Sequence, residues 1–398
     1  MNKPVFSGYE QSVLTVGQDQ NGLVFTQKHL HQLAKLKAKL PAGMYRLEYQ
    51  SVRWGNYVGL VELPDVIFEI LPKVDRSSDI SLTRSNWTNL LQQFDFLPQI
   101  GNLNPQLLMQ PGKLTESIQR SFLKEVNCIV KRGLSRQYRS QQGQQQFLRG
   151  KLLLPQQIRT NLIHKHQFYV QAQTRTLDHP LNQRIKLTLQ IIAKSSRFTA
   201  PANDLLRHFS SVSDISLKQT QVANSLNRFN QHYQVAVQLA NLICKGYLGG
   251  TFAGQDFGFS LLFDMSQLFE LLVYYHLKKL SAEREFTLHF QPQRNFWQTK
   301  NLRPDFLLNM GNGQRVVIDT KWKVLTHPTP NDEDLRQIFA YTQVFEVNRG
   351  ILFYPQTGKQ LPMKKIFNLP SAKGTTGEIQ FLSILENLES QLIKILHI

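Results

Sequence analysis

Between residues 302 and 323 the chain reads LRPDFLLNMGNGQRVVIDTKWK. Most of this stretch is apolar and β-branched, the composition of a buried hairpin, yet it carries Asp305, Asp319 and Lys321. If Gly311, Asn312 and Gly313 form a three-residue loop, Met310 faces Gln314, and counting outward sets Asp305 opposite Asp319. A shorter turn at Asn312-Gly313 moves the register by about one residue and still leaves the acids close. Side chains alternate along a strand, so Asp319 and Lys321 share one face and Thr320 points to the other.

Carboxylates held at a Cβ separation of about 5 Å repel each other, and in a half-buried place both ionise only with a cation between them. Hard oxygen donors of this kind suit Mg²⁺, which keeps several waters and shares its shell with phosphates. A water activated there, with Lys321 orienting it or neutralising charge on phosphorus, would hydrolyse a phosphodiester. Read singly, each residue has a plainer account: acids at strand ends, and a lysine that snorkels or pairs with one of them. Pro304-Asp305, the pairing of the acids and the apolar VVI before Asp319 together favour a site.

Two helices must serve it. FDMSQLFELLVYYHLKKL (263–280) reads as a helix capped by Asp264 or Ser266, with Glu270 set among apolar residues where a carboxylate is costly unless paired or near a metal. Glu270 on the open face of that helix is the alternative. EDLRQIFAYTQVF (333–345) places Gln337 and Tyr341 at i and i+4 on one face.

Around these elements, the first 160 residues read as short β-rich pieces, MYRLEYQSVRW (44–54) and NYVGLVELPDVIFEILPKV (56–74), with a turn at 63–65 and helical insertions at 27–40 and 86–97. RSQQGQQQ (139–146) reads as an exposed loop tip. FYVQAQTRTL (168–177) has a strand pattern, and DHPLNQRIKLTLQIIAK (178–194) a helix with Asp178 as candidate cap and Pro180 in its first turn. The chain is mostly helical from there to about 247. The Gly-rich stretch 246–259 marks a boundary, and 260–398 runs helix, strand, hairpin, helix, strand. The expectation is an α+β or α/β multidomain chain: a β-rich domain over 1–158, a strand and helical connecting segment over 159–247, and a site-bearing domain over 248–398.

Composition sets the frame. At 398 residues and 41% hydrophobic content the chain can bury more than one core. No run of about 18 apolar residues occurs and the N-terminus lacks a signal-peptide succession, so a cytoplasmic protein without a membrane span is expected. Two cysteines, Cys128 and Cys244, support neither a disulfide framework nor a zinc site. The net charge of +18 favours a polyanion, nucleic acid before an acidic membrane surface. KRGLSRQYRS (131–140) is the densest patch, making Lys131, Arg132, Arg136 and Arg139 the candidates for DNA contact.

The ordered set resembles the PD-(D/E)xK nuclease superfamily: Pro304-Asp305, Asp319-Thr320-Lys321, Glu270 on a preceding helix and Q-x-x-x-Y at Gln337 and Tyr341. Within it the chain resembles the McrC family, the nuclease subunits of McrBC-type restriction systems, 5-methylcytosine-specific or LlaJI-like. YVGLVEL, EILPKV, RTLDHPLNQRIKLTL, GFSLLFDMSQLFE, RPDFLL, VVIDTKWK, LRQIFAY and GILFYP carry that resemblance. It implies a C-terminal PD-(D/E)xK fold, a mixed central sheet flanked by helices. Mg²⁺ would be bound by Asp305, Asp319 and the Thr320 backbone carbonyl, with Lys321 positioning the attacking water and Glu270 completing the site. It also implies double-stranded DNA as substrate and a McrB-type AAA+ GTPase ring as partner, docked through the N-terminal domain and stimulated by it. No G-x-x-x-x-G-K-[ST] loop occurs, so GTP belongs to the partner. A stand-alone nuclease for repair or recombination, and a non-catalytic activator of the GTPase, are the other readings.

Overall fold

The computed structural model describes residues 3–398 except 21, 64, 74–79, 93–110, 164–165, 195–196, 218–227, 229, 248–257, 326–328, 357–364 and 369–374. The chain divides into two compact units, one formed by Met1–Leu114 with Gly258–Ile398 and the other by Thr115–Phe257. This differs from three consecutive domains over 1–158, 159–247 and 248–398. The reason is a long-range pairing: Phe259–Asp264, expected to open the last domain, adds antiparallel to Tyr57–Glu62 in a four-stranded sheet with Ile67–Leu71 and Val5–Tyr9. Gly59 permits it. Its φ is +134°, and a Cβ there would lie 1.9 Å from the carbonyl oxygen of Leu261.

The sheet that matters for the site has six strands in the order Phe286–Phe290, Phe306–Met310, Arg315–Thr320, Arg349–Pro355, Thr376–Leu382 and Lys365–Asn368. The first three are antiparallel neighbours, the next two join in parallel, and the last is antiparallel at the edge. A parallel neighbour requires a crossover, and the helix Asp332–Val344 supplies it between Arg315–Thr320 and Arg349–Pro355. Asn331 caps this helix by accepting from the Asp334 N–H, and three acids in its first turn complement the helix dipole. Ile338, Tyr341 and Phe345 bury its inner face on Val317, Leu352 and Ile379. Gly350 lets it come close, since a Cβ would meet Ile338 Cγ1 at 2.8 Å and Thr342 Cγ2 at 2.9 Å.

The helix Met265–Glu283 starts at Asp264, whose carboxylate accepts from the N–H groups of Ser266 and Gln267, so of the two expected caps Asp264 serves and Ser266 does not. It contacts Phe286–Phe290 and Arg315–Thr320. The expected run of elements omits a two-stranded ribbon, Arg294–Trp297 with Lys300–Leu302, standing between that helix and Asp305. The insertion expected at 86–97 appears as the helix Ile80–Gln92; the remainder of 84–105 and most of the Gly-rich 246–259 stretch lie outside the described residues.

In the second unit, Gln137–Gln145 pairs along its whole length with Phe168–Thr176, and Lys151–Leu152 flanks the latter. RSQQGQQQ is therefore mostly strand, not loop tip. Its glutamines are poor local β signals, and the partner strand, not propensity, decides the outcome. The helix Pro180–Ala193 begins one residue later than expected: His179 is the N-cap, and Asp178 accepts from Gln183 Nε2 and from the N–H and hydroxyl of Ser213. The LDHPLN motif is structural here. His179 Nε2 and Asn182 Nδ2 both reach the Ser135 carbonyl, at 2.9 and 3.1 Å, and Tyr233 accepts from the Ser135 N–H while donating to Asn182 Oδ1. Among the described residues no helix is long and apolar enough to cross a membrane.

Candidate active site

The hairpin has the register that a three-residue loop dictates. Phe306 faces Ile318, Asn309 faces Arg315, and the Met310 N–H donates to the Gln314 carbonyl at 2.8 Å. One step beyond the ladder, Asp305 meets Asp319. Pro304 restricts the backbone before the strand and is itself buried.

Asp305 precedes the first paired residue, so it is released from the alternation of the pleat. Its Oδ2 accepts from the Thr320 N–H at 2.7 Å and the Thr320 hydroxyl at 2.6 Å. The Thr320 side chain therefore serves the acid pair, whereas strand alternation alone would turn it away. Asp319 is 3% exposed. Burial first, then the charge of Asp305, pushes its carboxyl up to about 7, and Lys321 opposes the rise. Lys321 Nζ stands 2.6 Å from Asp319 Oδ2. That contact compensates the buried carboxylate with a single ammonium.

Glu270 turns inward, not onto an open face. It accepts from Gln291 Nε2 at 2.6 Å, and burial, followed by the charge of Asp305, raises its pKa. The Asp305 carboxylate thus acts on Glu270 through its charge, and the two acids stand as neighbours. Lys321 donates to Gln337 Oε1 at 2.6 Å, Gln337 Nε2 donates to the Tyr341 hydroxyl at 2.8 Å, and that hydroxyl donates to the Arg303 carbonyl at 3.1 Å. Burial, with the charge of Asp319 behind it, pushes Tyr341 up to about 12, so it stays a neutral donor. The lysine is thus fixed from two sides.

All six residues expected at the site, Asp305, Asp319, Lys321, Glu270, Gln337 and Tyr341, converge. Lys131, Arg132, Arg136 and Arg139 are exposed but belong to the other unit. Sequence reading missed three groups. Lys323 pairs with Asp334, which also accepts from the Tyr354 hydroxyl at 2.8 Å; the spacing of DTKWK, which puts Lys323 two residues past Lys321, was the available signal. Gln291 had none. The third is a tie to the N-terminus: the Trp322 indole N–H donates to Glu10 Oε1 at 2.8 Å and Oε2 at 3.0 Å, and Lys73 stands 3.7 Å from Glu10 Oε2.

Oxygen donors, a buried carboxylate and an Asp305 charge that raises the proton affinity of both Asp319 and Glu270 fit a hard divalent cation. Among the described residues no three Asp, Glu, His or Cys side chains are grouped as a ready metal cage.

The family model described as McrBC 5-methylcytosine restriction system component matches residues 52–355. No curated protein matches the sequence. Among solved structures, a half-complex from a tetradecameric assembly of Thermococcus gammatolerans McrB AAA+ hexamers with bound McrC contains a chain of the same fold. It is 19% identical, with a TM-score of 0.65 over 98% of this chain and 100% of that one. A second structure, of the Thermococcus gammatolerans McrBC complex, aligns at 21% identity and a TM-score of 0.47, covering 71% of this chain and 89% of that one.

Proposed function

Because the chain belongs to the family of McrBC 5-methylcytosine restriction system components, we propose that it is the Mg²⁺-dependent DNA endonuclease subunit of such a system. The observation that carries this reading is the set of Asp305, Asp319 and Lys321 brought together at the end of one hairpin, with Asp319 buried and Lys321 Nζ 2.6 Å from it. The hairpin, its crossover helix and the helix bearing Glu270 fit a PD-(D/E)xK nuclease fold.

Asp305, Asp319 and the Thr320 carbonyl would hold the ion, which supplies Lewis acidity toward the phosphodiester. Thr320 orients Asp305 through its N–H and hydroxyl. Lys321, held by Gln337 and Tyr341, presents a fixed positive charge where negative charge develops on phosphorus and orients the attacking water. Glu270 stands against Asp305 as a neighbouring acid. The partner in this reading is an AAA+ GTPase ring like the McrB hexamers of the Thermococcus structure, docked through the β-rich N-terminal part and stimulated by it, in the cytoplasm. The net charge of +18 suits double-stranded DNA as substrate.

The test uses the full chain with its motor, GTP, Mg²⁺ and duplex DNA. Asp319→Asn and Lys321→Ala should each lower cleavage by about a hundredfold or more, with the partner's GTP hydrolysis still stimulated. Undiminished cleavage in either variant removes the site assignment. Stimulation without any cutting by the unaltered chain would leave only a regulatory role.

A further inference from the structure

The ribbon Arg294–Trp297/Lys300–Leu302 belongs neither to the six-stranded sheet nor to the carboxylate cluster, yet it runs straight into Asp305. Its base is fixed. The Arg294 guanidinium donates to the Val344 carbonyl at 3.0 Å and lies over the Phe345 ring, Leu302 packs on the core beneath the crossover helix, and the Gln291 N–H donates to the Asp305 carbonyl at 2.8 Å. The tip is bare: Phe296 is 56% and Trp297 66% exposed, side by side. A register shift between Asn295 and Trp297 and a left-handed Gln298, φ +46°, shape the turn that presents them. Two adjacent exposed aromatic side chains on an anchored ribbon are costly for a free surface and usual for a contact surface.

Charge names the contact. No Asp or Glu occurs from Phe286 to Pro304, while Lys300 and Arg303 are exposed. Neither makes an ion pair among the described residues, although the charge of Arg303 is felt by Glu270 and Tyr341. Trp297 pairs with Lys300, and five residues of extended chain from Lys300 to Asp305 span at most about 17 Å. At about 3.4 Å per nucleotide along a strand, the tip falls within roughly five phosphates of the reacting one. A two-stranded ribbon also fits the width of a B-DNA major groove.

We propose that this ribbon is a DNA grip: Phe296 and Trp297 press on bases in the groove beside the cleavage point, and Lys300 and Arg303 hold flanking phosphates. The inference rests on the nuclease reading and adds to it the element that seats the duplex.

The experiment measures anisotropy of a fluorescein-labelled 30-base-pair duplex with the full chain in EDTA, which stops hydrolysis, from 50 to 200 mM salt. Phe296→Ala/Trp297→Ala should weaken binding about tenfold or more at every salt concentration. Lys300→Glu should lower the slope of log affinity against log salt by about one. Both should keep the parent's thermal midpoint, because the altered side chains are exposed. Parental affinity and slope in both variants, with the unaltered chain binding the duplex, would overturn the grip alone. Unchanged DNA affinity with an altered mass by light scattering would assign the tip to a protein contact and overturn it likewise. An unaltered chain that neither binds nor, with its motor and Mg²⁺, cuts DNA would overturn the nuclease reading together with the grip.

Discussion

Lys321 sits between two partners of different kind, an anion at Asp319 and an amide at Gln337. The amide carries no charge, so its contribution is directional. Truncating it should leave the ammonium paired with Asp319 but free to swing. We expect Gln337→Ala to lower kcat for DNA cleavage by about 10- to 100-fold with KM nearly unchanged, the size usual for a group that orients a reacting one. Gln337→Glu should not rescue it, because a fourth carboxylate beside Asp305, Asp319 and Glu270 adds repulsion. A KM effect of equal size would mean that Gln337 touches substrate directly. At the same scale, Asp305 shows how an acid leaves a strand's alternation where the ladder ends, so that Thr320 serves it with both N–H and hydroxyl.

Elements carry the next two predictions. The end of the acid-bearing strand is tied to the first sheet through Glu10, Lys73 and Trp322, with Glu10 fully buried and Lys73 6% exposed. Removing the anion of a buried ion pair leaves a buried ammonium without its counter-charge at Glu10, so Glu10→Ala should destabilise the first unit by about 3–5 kcal/mol, measured by urea unfolding. A loss below about 1 kcal/mol would show that the pair behaves as if exposed. In the second unit, His179 caps a helix with Nε2 on the Ser135 carbonyl, while its Nδ1 is buried without a partner among the described residues. Burial depresses its pKa from 6.5, although the Ser135 carbonyl and the Asp178 charge both favour the protonated ring. The folded state then binds fewer protons than the unfolded one below pH 6.5. The stability this gives is present above that pH and is lost as pH falls through 6.5 toward the depressed value. The unit's thermal midpoint should drop from pH 7 to pH 5, and His179→Gln should flatten that slope.

For the molecule as a whole, the charge of +18 is unevenly spread, with no acid between Glu125 and Asp178. Sequence-independent phosphate contacts follow, and duplex affinity should fall at least about tenfold between 50 and 200 mM salt. Flat affinity would assign the charge to something other than DNA.

How much of this was legible in the sequence follows from range. The hairpin, its loop length, the facing acids and the helical pair Gln337 and Tyr341 depend on steps of two, three and four residues, and alternation and helical period fix those locally. Asp264 as a cap is local as well. Other features were decided only by tertiary structure, because their partners are remote: Phe259–Asp264 joins a strand some two hundred residues earlier, a polar Gln-rich run becomes a strand because Phe168–Thr176 accepts it, and Trp322 reaches Glu10. No local pattern encodes such pairings. The sequence by itself determined which residues could do the chemistry; the packing of two helices and a distant N-terminal strand decided how rigidly they are held, since buried charges stay in place only when every neighbour is supplied.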